Sequence, residues 1–426
     1  MKKVLIISPY YPPANAADMH RVRTSLSYFK ENGWLPAVVA VDEKYTDMGG
    51  MDSLLLESVP AGIPVYKVQA FDKRFTSRFG LGSIALRSLW YYRKKVDKLL
   101  AKEHFDLIYF STTQFPICVL GSHWKKKFKV PYVIDMQDPW HSDYYEDKPK
   151  HQRPVKYWFS YRLNKYLEPI AMTEVGGLIS VSKNYIDALK NRYPKIREVP
   201  ADTITFGAFG PDLDIAKANQ DNFENLLMPG FINVVYIGRG GADMHKAIHP
   251  LFEAIKAGLG EHEFFSNIRL YFIGTSYAPA GQGKQTVVPI AKEYGIEKQV
   301  IEITDRISYY HSLATLLSAN GIFLPGSDDP HYTASKIYPI MLLHKPVLAI
   351  FNKKSPAISV LKEYGARFAY NFEDITCEDI TAFLKSLTDG SFGDLQYNES
   401  ALLHYSARWT TRLQCELFDK VSDDKN

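Results

Sequence analysis

The stretch Tyr236-Ile-Gly-Arg-Gly-Gly-Ala-Asp-Met-His-Lys sets two cations, Arg239 and Lys246, around a glycine-rich turn. Gly238 and its neighbouring glycines let a ligand approach the backbone, and the two cations answer paired negative charge, so the pattern suits a diphosphate. It is not a P-loop, because no Gly-Lys-Ser/Thr follows at the needed spacing, and it is not a dinucleotide fingerprint. An ordinary strand-to-helix turn is the competing reading.

A second constellation runs Leu324-Pro-Gly-Ser-Asp-Asp-Pro-His-Tyr-Thr-Ala-Ser-Lys-Ile-Tyr-Pro. Asp328 and Asp329 can accept hydrogen bonds from sugar hydroxyls. A helix expected to open at Ser335 and Lys336 would aim its free amides and the Lys336 ammonium at a phosphate. The plainer alternative is a long surface loop with an Asp-Pro turn. Upstream, Asp305-Arg306-Ile307-Ser308 follows a strand; its backbone either reads a nucleobase edge or only caps the next helix. Gly274, directly after the strand at 268–273, is assigned to the same donor side.

The first half holds two more candidates. In Ser8-Pro-Tyr-Tyr-Pro-Pro-Ala-Asn-Ala-Ala-Asp-Met-His-Arg-Val-Arg, prolines stiffen a loop, small residues admit a ligand, and a helix start favours anions. Pro13, Asn15 and Arg21 are the acceptor-side residues expected there. Arg21 and Arg23 fall on the first helical turn, where the dipole disfavours a cation unless an anion neutralises it, with solvent-facing charge as the alternative. In Asp135-Met-Gln-Asp-Pro-Trp-His, Asp138 is the candidate base for a sugar hydroxyl and Trp140 an amphipathic platform. An Asx turn with Trp140 as packing accounts for the same residues.

These groups act only if strands deliver them to one edge. Short β-branched runs at 4–7, 37–41, 65–68, 107–110, 132–135 and 177–180 alternate with amphipathic stretches at 20–32, 84–103, 119–127, 157–173 and 183–192. The pattern then repeats. Strands are expected at 232–237, 268–273, 300–303, 321–324, 347–350 and 366–370, with helices at 249–257, 286–294, 309–318, 335–343 and 355–363. Such alternation predicts α/β architecture with two Rossmann-like, doubly wound parallel sheets facing across a cleft. The expected domains are residues 1–205 on the acceptor side, a linker at 206–229, a nucleotide-sugar domain at 230–395, and a C-terminal helix within 396–426 packing back on the first domain. Open parallel sheets bind ligands beyond their carboxyl ends, where strand order reverses.

Composition agrees with an ordinary globular chain: 426 residues, 46% apolar and 23% charged, enough for two domains. The net charge of +4 is uneven, with basic and aromatic runs at 87–102 and 124–129. These point to an anionic partner such as a phosphorylated lipid or a membrane surface, or else to a solvated basic face. Cys118, Cys377 and Cys415 are far apart and imply neither a disulfide framework nor a zinc site, so a reducing cytoplasm is expected. Residues 1–7 are too short for a signal-peptide core, and no apolar run is long enough to span a bilayer, so any membrane contact is expected to be peripheral.

The order of these motifs resembles glycosyltransferase family 4 with its GT-B fold, over nearly the whole chain. The resemblance includes the proline-rich first loop, the Asp-Pro-Trp loop, Gly177-Leu-Ile-Ser-Val-Ser-Lys, Thr205-Phe-Gly, the Gly-Arg loop with its trailing lysine, and Lys345-Pro-Val-Leu-Ala. It implies a retaining, metal-independent transferase that takes a nucleotide sugar as substrate, needs no cofactor, and acts on a glycan or lipid-linked acceptor rather than nucleic acid. Arg239 and Lys246 would then neutralise the departing diphosphate, and Arg306 with Ile307 would contact the base. The first-strand loop and Asp138 would face the acceptor. The sequence departs from that family where a glutamate pair is usual: Pro339 holds one place, and His331, Asp328 or Asp329 the neighbourhood of the other. Two further readings are therefore kept, a catalytically silent partner subunit and a sugar-nucleotide epimerase.

Overall fold

A computed structural model describes residues 1–46, 50–141, 143, 146, 149, 150, 153, 157–329, 332, 334–392 and 396–423. Thirteen named strands make two sheets. In the first are β1 (Lys2–Ile7), β2 (Trp34–Val41), β3 (Val65–Val68), β4 (Leu107–Ser111), β5 (Tyr132–Met136), β6 (Gly177–Ser180) and β7 (Ala201–Thr203). The second holds β8 (Ile232–Ile237), β9 (Ile268–Ile273), β10 (Val300–Ile303), β11 (Gly321–Pro325), β12 (Val347–Phe351) and β13 (Phe368–Asn371). Strand order is β3-β2-β1-β4-β5-β6-β7 in one and β10-β9-β8-β11-β12-β13 in the other. All named pairings are parallel.

Parallel strands covered on both faces read as continuous apolar runs, as Val4 to Ile7 and Val347 to Phe351 do, all of them buried. The order reverses between β1 and β4 in the first sheet and between β8 and β11 in the second. In open parallel sheets such a reversal is where loops diverge at the strands' carboxyl ends and where ligands bind.

The chain divides into one unit of Met1–Gly207 with Ala407–Asn426 and another of Ala208–Ser406. The helix Ala407–Asp423 belongs to the first. Its Phe418 packs edge-on against Trp34 at 5.5 Å and lies 4.9 Å from the Tyr109 ring, inside a core that includes Val4, Val38 and Ile179.

Several elements differ from expectation. The helix expected at 20–32 ends at Ser25, and a separate 3-10 turn, Lys30–Asn32, runs into Gly33 at φ 82°, which swings the chain into β2. The stretch expected as an irregular linker holds the helix Gly210–Ala218, whose buried Asp212 accepts hydrogen bonds from Tyr309 and Tyr310 at 2.8 Å each. Pro211 sits in that helix's first turn, where a missing N–H costs nothing. The helix Cys377–Asp389, absent from the apolar pattern above, is opened by a reciprocal cap between Thr376 and Asp379.

Candidate functional site

In the second unit, β8 ends at Ile237 and the chain turns through Gly238, Arg239, Gly240 and Gly241 before the helix His245–Glu261. The turn is pinned from three sides. Gly240 N donates to the Thr275 carbonyl at 2.9 Å, Tyr236 Oη donates to the Arg239 carbonyl at 3.0 Å, and Lys336 Nζ donates to the Ile237 carbonyl at 2.9 Å. A side chain at position 238 would stand 2.6 Å from Lys336 Nζ and closer still to Tyr236 Oη, so glycine there is a packing requirement.

Asp243 organises the crevice, and no sequence signal above selected it. Its carboxylate receives Arg239 through both oxygens, with Nη1 to Oδ1 at 2.6 Å. The same carboxylate accepts from Ser327 Oγ, and its carbonyl accepts the Asp328 amide at 2.8 Å. The loops after β8 and β11, on the two sides of the strand-order reversal, are thereby tied together. Desolvation alone would raise the Asp243 carboxyl, but the bonds from Arg239 and Ser327, with the Arg239 charge, outweigh it and hold it below the usual aspartate range.

Arg239, expected as a free cation for a diphosphate, is thus partly engaged; a guanidinium offers five N–H groups, and Asp243 takes two. Lys246, on the first turn of His245–Glu261, is exposed and has no hydrogen bond or ion pair among the described residues. Lys336 is open to solvent along its length while its ammonium is ringed by protein. Desolvation first, then the Arg306 and Arg239 charges, push it down to about 8. Arg306 is exposed with its guanidinium 5.3 Å from the Tyr277 ring centre, its Cα standing beside Gly274; Ile307 is half-buried.

The helix expected over 335–343 is only Ile337–Met341. Ser335 lies in the preceding turn and Lys336 at the N-cap, because Pro339 confines helical hydrogen bonding to a short segment. The expected array of phosphate-facing amides is corrected to one turn, and Lys336 reaches the crevice by its side chain. Asp328 is exposed; Asp329, half-buried, donates its amide to Ser327 Oγ at 3.1 Å. His331 lies outside the described residues.

The first unit's crevice is built alike. Asp18, buried and likewise not selected from sequence, accepts from Thr112 Oγ1 at 2.7 Å and from Thr113 N at 3.0 Å, tying the loop after β1 to that after β4. Asp138 is exposed, and surrounding protein, then the Asp18 charge, push it up to about 6. It lines a cavity of about 400 Å³ with Thr113, Phe115, Trp140 and Asn164.

Two acceptor-side expectations change here. Arg21 is buried. Its Nε lies 2.7 Å from Asp135 Oδ2, and its Nη atoms donate to the carbonyls of Ile204 at 2.8 Å and Thr205 at 2.9 Å. The anion that neutralises it on the first helical turn is Asp135, not a ligand. Arg23 is buried too, against Ser58 and His20. Trp140 is a packing residue in the main, stacked on Phe115 at 5.5 Å with Nε1 donating to Asn164 at 3.2 Å, although one side borders the cavity. Pro13 is half-buried, its carbonyl accepting the Asp52 amide; the Asn15 side chain has no hydrogen bond among the described residues.

No family model matches the sequence, and no curated protein matches it. Solved structures match along the whole length. The N-terminal domain of Candida albicans trehalose-6-phosphate phosphatase superposes with a TM-score of 0.61 at 12% identity, covering 99% of this chain and 97% of that one. The chain has the GT-B fold. The lipopolysaccharide outer core galactosyltransferase WaaB matches at TM-score 0.51 and 12% identity, covering 100% of both chains. Neisseria meningitidis UDP-GlcNAc 2-epimerase, solved with UDP-GlcNAc bound, matches at 0.54 and 12%, covering 98% of this chain and 99% of that one. At such identity the likeness speaks for GT-B architecture, which transferases and epimerases share, and the chemistry must be argued from the side chains.

Proposed function

We infer that this chain is a glycosyltransferase that moves a sugar from a nucleotide-sugar donor to a glycan or lipid-linked acceptor. The reading includes retention at the anomeric carbon, family 4 kinship, independence of metal and a place in cell-surface polysaccharide assembly on the cytoplasmic side. One observation carries it. Gly238, Arg239 and Lys336 meet at the β8/β11 reversal, where a glycine-rich turn, a cation held by Asp243 and a depressed lysine share one crevice.

Charge developing on a departing diphosphate is stabilised by such fixed cations, already oriented before reaction. Lys246, exposed one turn along, supplies a further positive charge. Arg306 and Ile307 are assigned to the nucleobase, Gly274 and Ser335 to the donor's phosphates, and Asp328 with Asp329 to its sugar. On the acceptor side Asp138 is assigned as base, with Pro13 and Asn15 at the rim. Thermal-shift screening against nucleotide sugars, followed by assay of nucleotide release with and without glycan acceptors, tests the reading. Stabilisation by none of them would remove it.

A silent-subunit reading is favoured by Pro339, which offers no ribose contact where a carboxylate is usual, and by Asp243 already holding Arg239. It predicts nucleotide-sugar binding without turnover. An epimerase would instead interconvert the nucleotide sugar with no acceptor present.

A further inference from the structure

The first unit leaves a group of aromatic rings uncovered. Phe75 is 66% exposed, Phe79 76%, Trp90 52% and Trp158 63%, although rings of this size are normally buried. The segments that carry them adjoin. The Phe71 ring lies 6.5 Å from Trp90 and 5.1 Å from Tyr91, and the backbone at Gly80 runs so close to Phe159 that a Cβ there would stand 2.7 Å from its ring.

The first of these segments is basic. From Phe71 to Lys95, Asp72 is the single carboxylate against seven Lys and Arg. One of those, Arg87, is buried and holds the segment in shape through the carbonyls of Phe71, Tyr45 and Gly82. Arg74, paired with Asp72, and Arg78 and Lys94 are exposed. Lys94 lies 5.0 Å from the Trp90 ring centre, and Arg162 sits over Trp158 at 4.2 Å.

Rings rimmed by cations match a lipid–water boundary, where the ring enters the headgroup region and the cation meets lipid phosphate. A second copy of this face would bring like charges together, and protein interfaces are poor in lysine. The cavity holding Asp138 and Trp140 reaches the same face, since Gly80, Leu86, Phe159 and Leu163 also line it.

We propose that the face formed by residues 71–94 and 158–162 seats the first unit on an anionic bilayer, and that the adjoining cavity receives the headgroup of a membrane-embedded acceptor. The second half of this proposal rests on the transferase reading above; the first half does not. The test is sedimentation of the full chain with vesicles of phosphatidylcholine alone or mixed with phosphatidylglycerol. Binding to the mixed vesicles at low salt, lost at high salt, is expected. Phe75→Ser with Phe79→Ser, and separately Arg74→Glu with Arg78→Glu, should each weaken it roughly tenfold or more. These side chains are exposed, so melting temperature and nucleotide affinity should hold. Three results would overturn the proposal: no binding of the wild-type chain at low salt, unchanged binding in both variants, or light scattering showing a dimer that the Phe75/Phe79 variant dissociates. Because vesicle binding is read without any sugar chemistry, a chain that binds vesicles but no nucleotide refutes the donor reading, and with it the headgroup half of the proposal, and leaves the bilayer half standing.

Discussion

Asp243 grips the Arg239 guanidinium with both carboxylate oxygens and at the same time takes the Ser327 hydroxyl from the loop after β11. A cation held this way is oriented before any ligand arrives, and the carboxylate that orients it also ties the loop after β8 to the loop after β11.

Arg239→Ala should therefore weaken uridine or guanosine diphosphate binding roughly tenfold or more, the scale of one charge-assisted contact. Asp243→Ala should weaken it as well, because the two loops come untied and Arg239 loses its aim. Calorimetry on both variants checks this; unchanged affinity in both would contradict the donor assignment.

Lys336 carries a pH signature. With its ammonium pushed down to about 8, donor affinity of the free protein should fall as pH rises through that value. The stability effect has the opposite sign. A lysine depressed in the fold binds its proton more weakly there than in the unfolded chain, so stability should rise between about 8 and the ordinary lysine value. Lys336→Met should lose the binding profile and melt no lower than wild type near neutral pH. A pH series of nucleotide titrations with parallel melting curves reads both.

Asp138, pushed up to about 6, must be ionised to act as a base, so transfer should rise as pH increases through that value and be lost in Asp138→Asn. The fold resists this ionisation. Above the ordinary aspartate value the group should cost stability, so Asp138→Asn should melt slightly higher than wild type at neutral pH and equally in acid below that value. Thermal melts at the two pH values decide it.

Arg21 and Asp135 make the opposite prediction, stability without a direct part in chemistry. Both are buried, and removing one partner leaves the other as an uncompensated charge. Arg21→Ala or Asp135→Ala should cost about 3–5 kcal/mol, read as an early loss of the first unit's structure in urea. Wild-type stability in Arg21→Ala would return that residue to the acceptor side.

The strands were largely legible, because a sheet covered on both faces leaves apolar runs that no other element needs. The Gly238–Arg239 turn was legible for a related reason: a close backbone approach demands glycine whatever surrounds it. Arg21 was misread because its partner is distant in sequence; a helix-start arginine advertises an anion but not whether that anion is a ligand or Asp135. Asp18 and Asp243 were missed because a lone aspartate in a loop has no periodicity. Each matters only once two loops meet, and an aspartate one or two positions before a helix is the faint mark both share. The helix Gly210–Ala218 was hidden by glycine and proline that read as linker chemistry yet suit a helix's first turn.

The helix Ala407–Asp423 belongs to the first unit although the whole second unit precedes it in the chain. The second unit is thus an insertion, and its two ends already meet, since the Ala208 amide donates to the Tyr405 carbonyl at 2.7 Å. During synthesis residues 208–406 can complete their fold while the first sheet still lacks the helix that seals it. Phe418 and its neighbours follow the whole of the second unit, so the Trp34 face waits uncovered until that unit has emerged. An excised 208–406 piece should accordingly be the easier half to produce alone, whereas a chain stopped before Ala407 should expose that face and aggregate.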